Sequence, residues 1–281
     1  MLTITAPAKI NLTLEILRKR PDGFHEIRSV FQAIDLADRL TFEAGEDVVF
    51  KCNMPGWSAG QSLVTKAAEA LREISGFKKG AVITIEKKIP MMSGLGGDSS
   101  DAAAVLKGLN ELWDLKLPPE KLAEIGVKLG SDIAFFLNGK TALAVGRGEK
   151  ITSLPSLPTV YAVLVLPNVP VELGKTGRMY SSLKPSHFTD GSHTRNLVEA
   201  LEQGKPFRPA MLYNAFENVA FEDFTIRQLY VEPVKRAGAL HVHLAGSGPM
   251  LFTIFSEKTR AEELYKKCQS QGMQTYLAAT L

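Results

Sequence analysis

The sequence predicts an α+β protein of two domains, and three observations carry that prediction. Segments with period-two alternation are interspersed with segments of helical period. A proline-rich stretch interrupts both near residue 155, and the strand-and-helix pattern restarts beyond it. A chain of 281 residues, 45% of them hydrophobic, has the length and the apolar material for a core in each domain.

The first element is a strand over residues 9–16. Ile10, Leu12, Leu14 and Ile16 alternate with Lys9, Asn11, Thr13 and Glu15, the pattern of a half-buried strand whose polar side faces a cleft or solvent. Arg20-Pro21-Asp22-Gly23 places proline and glycine for a tight turn. Shorter strand-like runs occupy residues 40–42, 48–51 and 82–86. Leu63, Ala67, Ala70, Leu71 and Ile74 recur at helical spacing after Ser62, and Val105, Leu106, Leu109, Leu112 and Trp113 do so after Ser99 and Ser100. Pro118 and Pro119 open a third helix carrying Leu122, Ile125 and Leu129, and Gly130 stops it. A short helix starts at Ser131 and Asp132 and carries Ile133, Phe136 and Leu137. Leu154-Pro155-Ser156-Leu157-Pro158 reads as a linker, which gives domains 1–154 and 155–281. The second domain opens with a strand at 160–166, followed by several helices up to Gly238. Strands at 240–244 and 250–255 flank Gly246-Ser247-Gly248, and a helix at 257–269 and a strand at 275–278 close the chain.

Composition narrows the function classes. Thirty-three basic against 30 acidic side chains leave a formal charge of +3, too faint and dispersed to expect nucleic acid or a membrane surface. Cys52 and Cys268 stand far apart without histidine at ligand spacing, so no metal site is expected. The start of the chain lacks the apolar core of a secretory signal, and no apolar run approaches the roughly 20 residues of a membrane span. The expected compartment is the cytoplasm, with both thiols reduced. Nothing in the pattern specifies an oligomeric state.

The stretch Pro90-Met91-Met92-Ser93-Gly94-Leu95-Gly96-Gly97-Asp98-Ser99-Ser100-Asp101 joins a strand to a helix. Its glycines permit positive φ and close backbone approach to a ligand. The first amides of the helix lack intrahelical acceptors and sit at the positive end of the dipole, so the junction suits phosphate. The plain alternative is a glycine turn with a serine cap. A Walker loop is excluded because no Gly-Lys-Ser/Thr follows, and Ser99 stands where a dinucleotide fingerprint needs its last glycine.

With Pro7-Ala8-Lys9-Ile10-Asn11-Leu12, Arg20-Pro21-Asp22-Gly23-Phe24-His25, Leu129-Gly130-Ser131-Asp132, Asn214-Ala215-Phe216-Glu217 and Ala245-Gly246-Ser247-Gly248-Pro249, this loop resembles the galactokinase, homoserine kinase, mevalonate kinase and phosphomevalonate kinase superfamily. The likeness spans nearly the whole chain. The Asp22 to His25 element resembles in particular the branch acting on a cytidyl derivative of methylerythritol in the non-mevalonate isoprenoid route. The resemblance implies a kinase fold with an N-terminal α/β domain holding the ATP loop and a ferredoxin-like C-terminal domain. It also implies ATP as phosphoryl donor, with Mg²⁺ accompanying it, and transfer to the 2-hydroxyl of the acceptor.

The same resemblance assigns roles. A lone strand lysine is ordinarily solvated, yet Lys9 stands where the family has its catalytic lysine. Asp132, otherwise an N-cap or first-turn acid, stands where the family accepts the hydroxyl proton. A helix N-terminus and a nearby cation favour its ionised form, so it is expected to orient the hydroxyl and take the proton late. Residues 90–100 take the triphosphate, and Lys87, otherwise a solvated strand end like its neighbour Lys88, lies near the adenine. Phe24, otherwise core, and Tyr180 become the two faces around a cytosine ring; His25, otherwise surface, reads its edge, and Asn11 shares the substrate site. Asp98 and Ser62 depart from the family, and Asp98 is expected to turn outward. Three other readings stay open: a sister kinase for homoserine or a mevalonate-type alcohol, a non-catalytic nucleotide or metabolite sensor, and a dehydrogenase built on the glycine loop.

Overall fold

The computed structural model describes residues 1–170 and 174–281. They gather in two compact units, each assembled from three stretches. The first holds Met1–Ala8, Leu36–Met91 and Gly96–Gly139, and the second Lys9–Asp35, Met92–Leu95 and Lys140–Leu281. Strands β1 (Leu2–Lys19) and β2 (His25–Gly45) therefore contribute residues to both units.

In the first unit β3 (Val48–Cys52) runs parallel to β4 (Gly80–Glu86), and β4 pairs antiparallel with the end of β2, Arg39 opposite Glu86 and Gly45 opposite Gly80. Helices α1 (Leu63–Ser75), α2 (Gly97–Leu112), α3 (Pro119–Leu129) and α4 (Ile133–Asn138) complete it, with α1 and α2 packed on each other. Ser62 caps α1, its hydroxyl accepting from the Val64 amide at 3.3 Å, and Gly76 ends the helix in the left-handed region at φ 67°. Proline at the first turn of α3 costs nothing, because that amide has no helical acceptor.

In the second unit the start of β2 pairs antiparallel with β5 (Thr141–Gly146), and β5 forms a hairpin with β6 (Lys150–Ser153). A separate antiparallel sheet is ordered β11-β7-β10-β9. In it β7 (Tyr161–Leu166) lies between β10 (Leu251–Phe255) and β11 (Gln274–Ala279), and β9 (His243–Leu244) lies at the edge. Between β7 and β9 come α5 (Lys175–Ser182), α6 (Ser192–Glu202), β8 (Tyr213–Asn214) beside β1, and the short helices α7 (Glu217–Ala220), α8 (Phe224–Ile226) and α9 (Glu232–Arg236). Helix α10 (Lys258–Ser270) turns Ala261, Leu264 and Cys268 into the core. The expected α+β class is what the chain adopts, and the proline-rich run after Ser153 lies between β6 and β7.

Several elements differ from expectation, and β1 itself runs from Leu2 to Lys19, beyond the expected 9–16. The run at 40–42 is the end of a 21-residue strand, and the period-two reading missed its earlier part because both of its faces are apolar around Phe31, Ala33 and Ile34. The β5–β6 hairpin went unread because Thr-Ala-Leu-Ala-Val-Gly offers small residues of weak strand preference. The strand at 240–244 shortens to His243 and Leu244, since Leu240 is 77% exposed and off the ladder. Among the described residues no helix is long and apolar enough to cross a membrane.

Gly108 marks the tightest packing of α2: a Cβ there would sit 2.4 Å from the ring of Phe42, which is fully buried. Gly108→Ala is expected to lower unfolding free energy by about 1–3 kcal/mol, read from denaturant titration, because a fully buried ring would have to shift to admit the methyl group.

Candidate active site

The glycine turn is set by backbone geometry. Gly94 and Gly96 have φ of 91° and 74°, and α2 starts directly after them. The Ser100 amide makes a helical bond to the Gly96 carbonyl at 2.9 Å, so the amides of Gly97, Asp98 and Ser99 precede the helical ladder. Within the second unit the turn meets the 245–249 loop through main-chain contacts. The Met250 amide donates to the Ser93 carbonyl at 3.0 Å, and a Cβ on Gly94 would lie 2.2 Å from the Ala245 carbonyl oxygen. No side chain fits at Gly94.

Within the first unit, Asp98 is turned to α1. Its carboxylate accepts from the Ser62 hydroxyl and, at 3.1 Å, from the Leu63 amide. Both departures from the family pattern thus form one cap. Lys87 is also engaged inside the protein: its ammonium lies 2.5 Å from Asp38 and 2.6 Å from Asp101, with all three side chains buried. The sequence reading missed these two acids. Asp101 carried a signal, an acid followed directly by the apolar run Ala-Ala-Ala-Val-Leu; Asp38, distant in sequence, carried none.

Lys9 lies on β1 in the second unit, and it is buried, as are Asn11, Thr13 and Glu15 beside it on the same face. The apolar face is buried too, so β1 is covered on both sides and not half-buried. The polar row survives burial because its members bond in sequence. Lys9 Nζ donates to Asn11 Oδ1 at 2.8 Å and lies 4.5 Å from the Phe31 ring centre. Asn11 Nδ2 donates to Ser29 Oγ at 2.9 Å, and Ser29 donates to the Thr13 carbonyl. The Thr194 hydroxyl donates to Thr13 Oγ1 at 2.9 Å, and its amide, at the start of α6, donates to Glu15 at 2.7 Å. The lysine is thereby aimed by its neighbours.

Asp132 precedes α4 and its carboxylate makes no capping bond, so the plain N-cap role is not the one it plays. At the β1–β2 turn, Gly23 (φ 84°) and the Arg20–Glu26 ion pair at 2.7 Å hold the tip on which Phe24 and His25 stand. The ring that Tyr180 stacks on is His25, at 4.9 Å and 17°, whereas Phe24 is 53% exposed with the Arg147 guanidinium 4.7 Å from its centre. Burial first, then the charge of Lys19, hold His25 neutral to lower pH than an ordinary histidine.

A cavity of about 600 Å³ opens beside the glycine turn within the second unit, with Met92, Gly94, Lys175, Thr176, Ser247 and Gly248 in its wall. The hydroxyls of Thr176 and Ser247 meet at 2.9 Å. Burial pushes the Lys175 amine down to about 8. The acid on the cavity wall, Asp223, is already engaged by the Thr225 and Ile226 amides. A lysine at the first turn of α5 adds positive charge to an already positive helix end, so the cavity favours an anion. Among the described residues no group of three His, Cys, Asp or Glu is placed to hold a metal ion.

Comparison with known proteins places the chain in a family. The GHMP kinases N terminal domain matches residues 62–140, and the GHMP kinases C terminal domain matches residues 196–273. The chain is 46% identical over its whole length to 4-diphosphocytidyl-2-C-methyl-D-erythritol kinase of Dehalococcoides mccartyi, covering 99% of that protein. It is 38% identical to the enzyme of the same name from Enterococcus faecalis, with 98% of each chain covered. The crystal structure of a 4-(cytidine 5'-diphospho)-2C-methyl-D-erythritol kinase superposes with a TM-score of 0.83 at 31% identity, covering 99% of both chains. Two domain matches with full-length relatives at this identity leave one conclusion: the chain belongs to the 4-diphosphocytidyl-2-C-methyl-D-erythritol kinases, a branch of the GHMP kinases.

Proposed function

We propose that the protein transfers the terminal phosphoryl group of ATP to the 2-hydroxyl of 4-diphosphocytidyl-2-C-methyl-D-erythritol. The observation that carries this reading is identity of 46% to a kinase of that name over the entire chain. The turn over residues 90–100 presents helix-start amides to the triphosphate, and Mg²⁺ arrives with ATP as part of the substrate. Lys87 acts on this loop from below, through Asp101, in place of touching the adenine. The cytoplasm is the compartment that suits the two free cysteines.

Lys9 and Asp132 belong to different units, and the reaction requires both at one acceptor oxygen. Lys9, aimed by Asn11, holds and polarises that oxygen. Asp132 orients the hydroxyl and accepts its proton late, because a loose phosphoryl-transfer transition state asks little of a base early on. The cytosine is read by Phe24, His25 and Tyr180. For the base to enter a stack, the His25–Tyr180 contact has to open, and base stacking worth roughly 1–3 kcal/mol takes its place. The cavity at Lys175 and Thr176 suits the acceptor's diphosphate.

A coupled ADP-release assay tests the reading. ADP release is expected with the cytidyl substrate and Mg²⁺, and only background with mevalonate or homoserine; turnover of either alcohol instead would assign a sister activity. Asp132→Asn is expected to remove most turnover, by roughly 10²-fold or more, while ATP affinity stays near that of the parent. Near-normal turnover would strip Asp132 of its role. Because His25 stays neutral to low pH, protonation of its ring is expected to raise KM for the cytidyl substrate only below about pH 6.5. His25→Gln, which keeps a donor and an acceptor without titrating, should flatten that rise.

A further inference from the structure

Asp101 lies one turn into α2, about 6 Å along the axis from Gly97, and it is fully buried. An ionised carboxylate there opposes any phosphate held at the helix start. Its surroundings are specific. Asp101 Oδ2 lies 2.6 Å from Lys87 Nζ, and Oδ1 has no hydrogen-bond partner. Asp38, on β2, lies 2.5 Å from the same ammonium through one oxygen, and through the other it accepts from the Lys88 and Ile89 amides at 2.5 and 2.8 Å. Asp38 thus has three donors where Asp101 has one. Asp98, on the same helix as Asp101, is bonded to Ser62 and the Leu63 amide. Two carboxylates thus share one cation, and the cation sits directly under the turn: a Cβ on Gly97 would come within 3.4 Å of Lys87 Nζ.

We infer that Asp101 is a positioning residue whose protonation is coupled to occupancy of the glycine turn: binding of a nucleoside triphosphate draws a proton on to the Asp38–Lys87–Asp101 cluster. This rests on the ATP reading of the turn. Burial pushes the Asp101 carboxyl up to about 8, with Asp38 adding to the rise and Lys87 opposing it. The empty site is therefore divided between two charge states near pH 8. With both acids ionised the cluster carries a net negative charge beneath the phosphates, and with a proton it is neutral. Phosphates disfavour the charged form, so Asp101 takes up a proton when they bind, and linkage requires that the protonated form bind them more tightly. The contribution is full below pH 8 and is lost as pH rises through it.

Calorimetric titration of the full chain with a nonhydrolysable ATP analogue and Mg²⁺, at pH 8 in two buffers of different ionisation heat, measures the proton directly. Uptake of about half a proton is expected, with Kd weakening roughly tenfold between pH 7 and pH 9. Asp101→Asn keeps the shape without the titration; it should bind with no uptake and a flat Kd. Lys175→Met removes the other group that titrates near pH 8 beside Met92 and Gly94, and it should keep the uptake. If Asp101→Asn fails to fold, the parent and Lys175→Met decide the matter alone. Binding without uptake in the parent, uptake unchanged in Asp101→Asn, or uptake lost in Lys175→Met would each overturn the coupling. An analogue that binds at no pH would overturn the ATP reading itself.

Discussion

A lysine ammonium buried on a strand tolerates its position only where neighbouring groups hold it, and the second unit is organised around that demand. Lys9 depends on Asn11, Asn11 on Ser29, and Ser29 shares Thr13 with Thr194 at the start of α6. Glu15 closes the row by accepting from the amides of His193 and Thr194. The same contacts that make burial tolerable also fix where the ammonium points. Burial of the ammonium and its placement depend on one network here.

The glycine turn is held differently, by main chain. Ser93 accepts from Met250, Leu95 accepts from Lys9, and Gly94 leaves no room for a side chain against Ala245. Backbone contacts of this kind are insensitive to side-chain identity except at the glycines. That explains how Met92 is accommodated at a positive φ of 54° within the same loop: its neighbours determine the path.

Much of this was legible in the sequence. The alternation from Lys9 to Ile16 gave the strand and its two faces correctly, and Ser62, Pro119 and Gly130 marked helix ends where they occur. Alternation cannot reveal whether a polar face meets water or another polar layer, so the burial of Lys9, Asn11, Thr13 and Glu15 had to come from Ser29 and Thr194, distant in sequence. Long-range partners were illegible for the same reason: Asp38 meets Lys87 across 49 positions. How Phe24, His25 and Tyr180 pair was not legible, because which ring stacks on which depends on where α5 lies beside the β1–β2 turn.

Asp98 shows why a ligand loop is not a portable part. The carboxylate is harmless where it stands because Ser62 and the first amide of α1 claim both of its oxygens. Grafted on to a scaffold with no helix beginning at that place, the identical dodecapeptide would present a bare negative charge at its helix start, where an anion would otherwise be favoured. The working unit of inheritance is therefore the loop together with a neighbouring helix start contributed from 36 residues upstream.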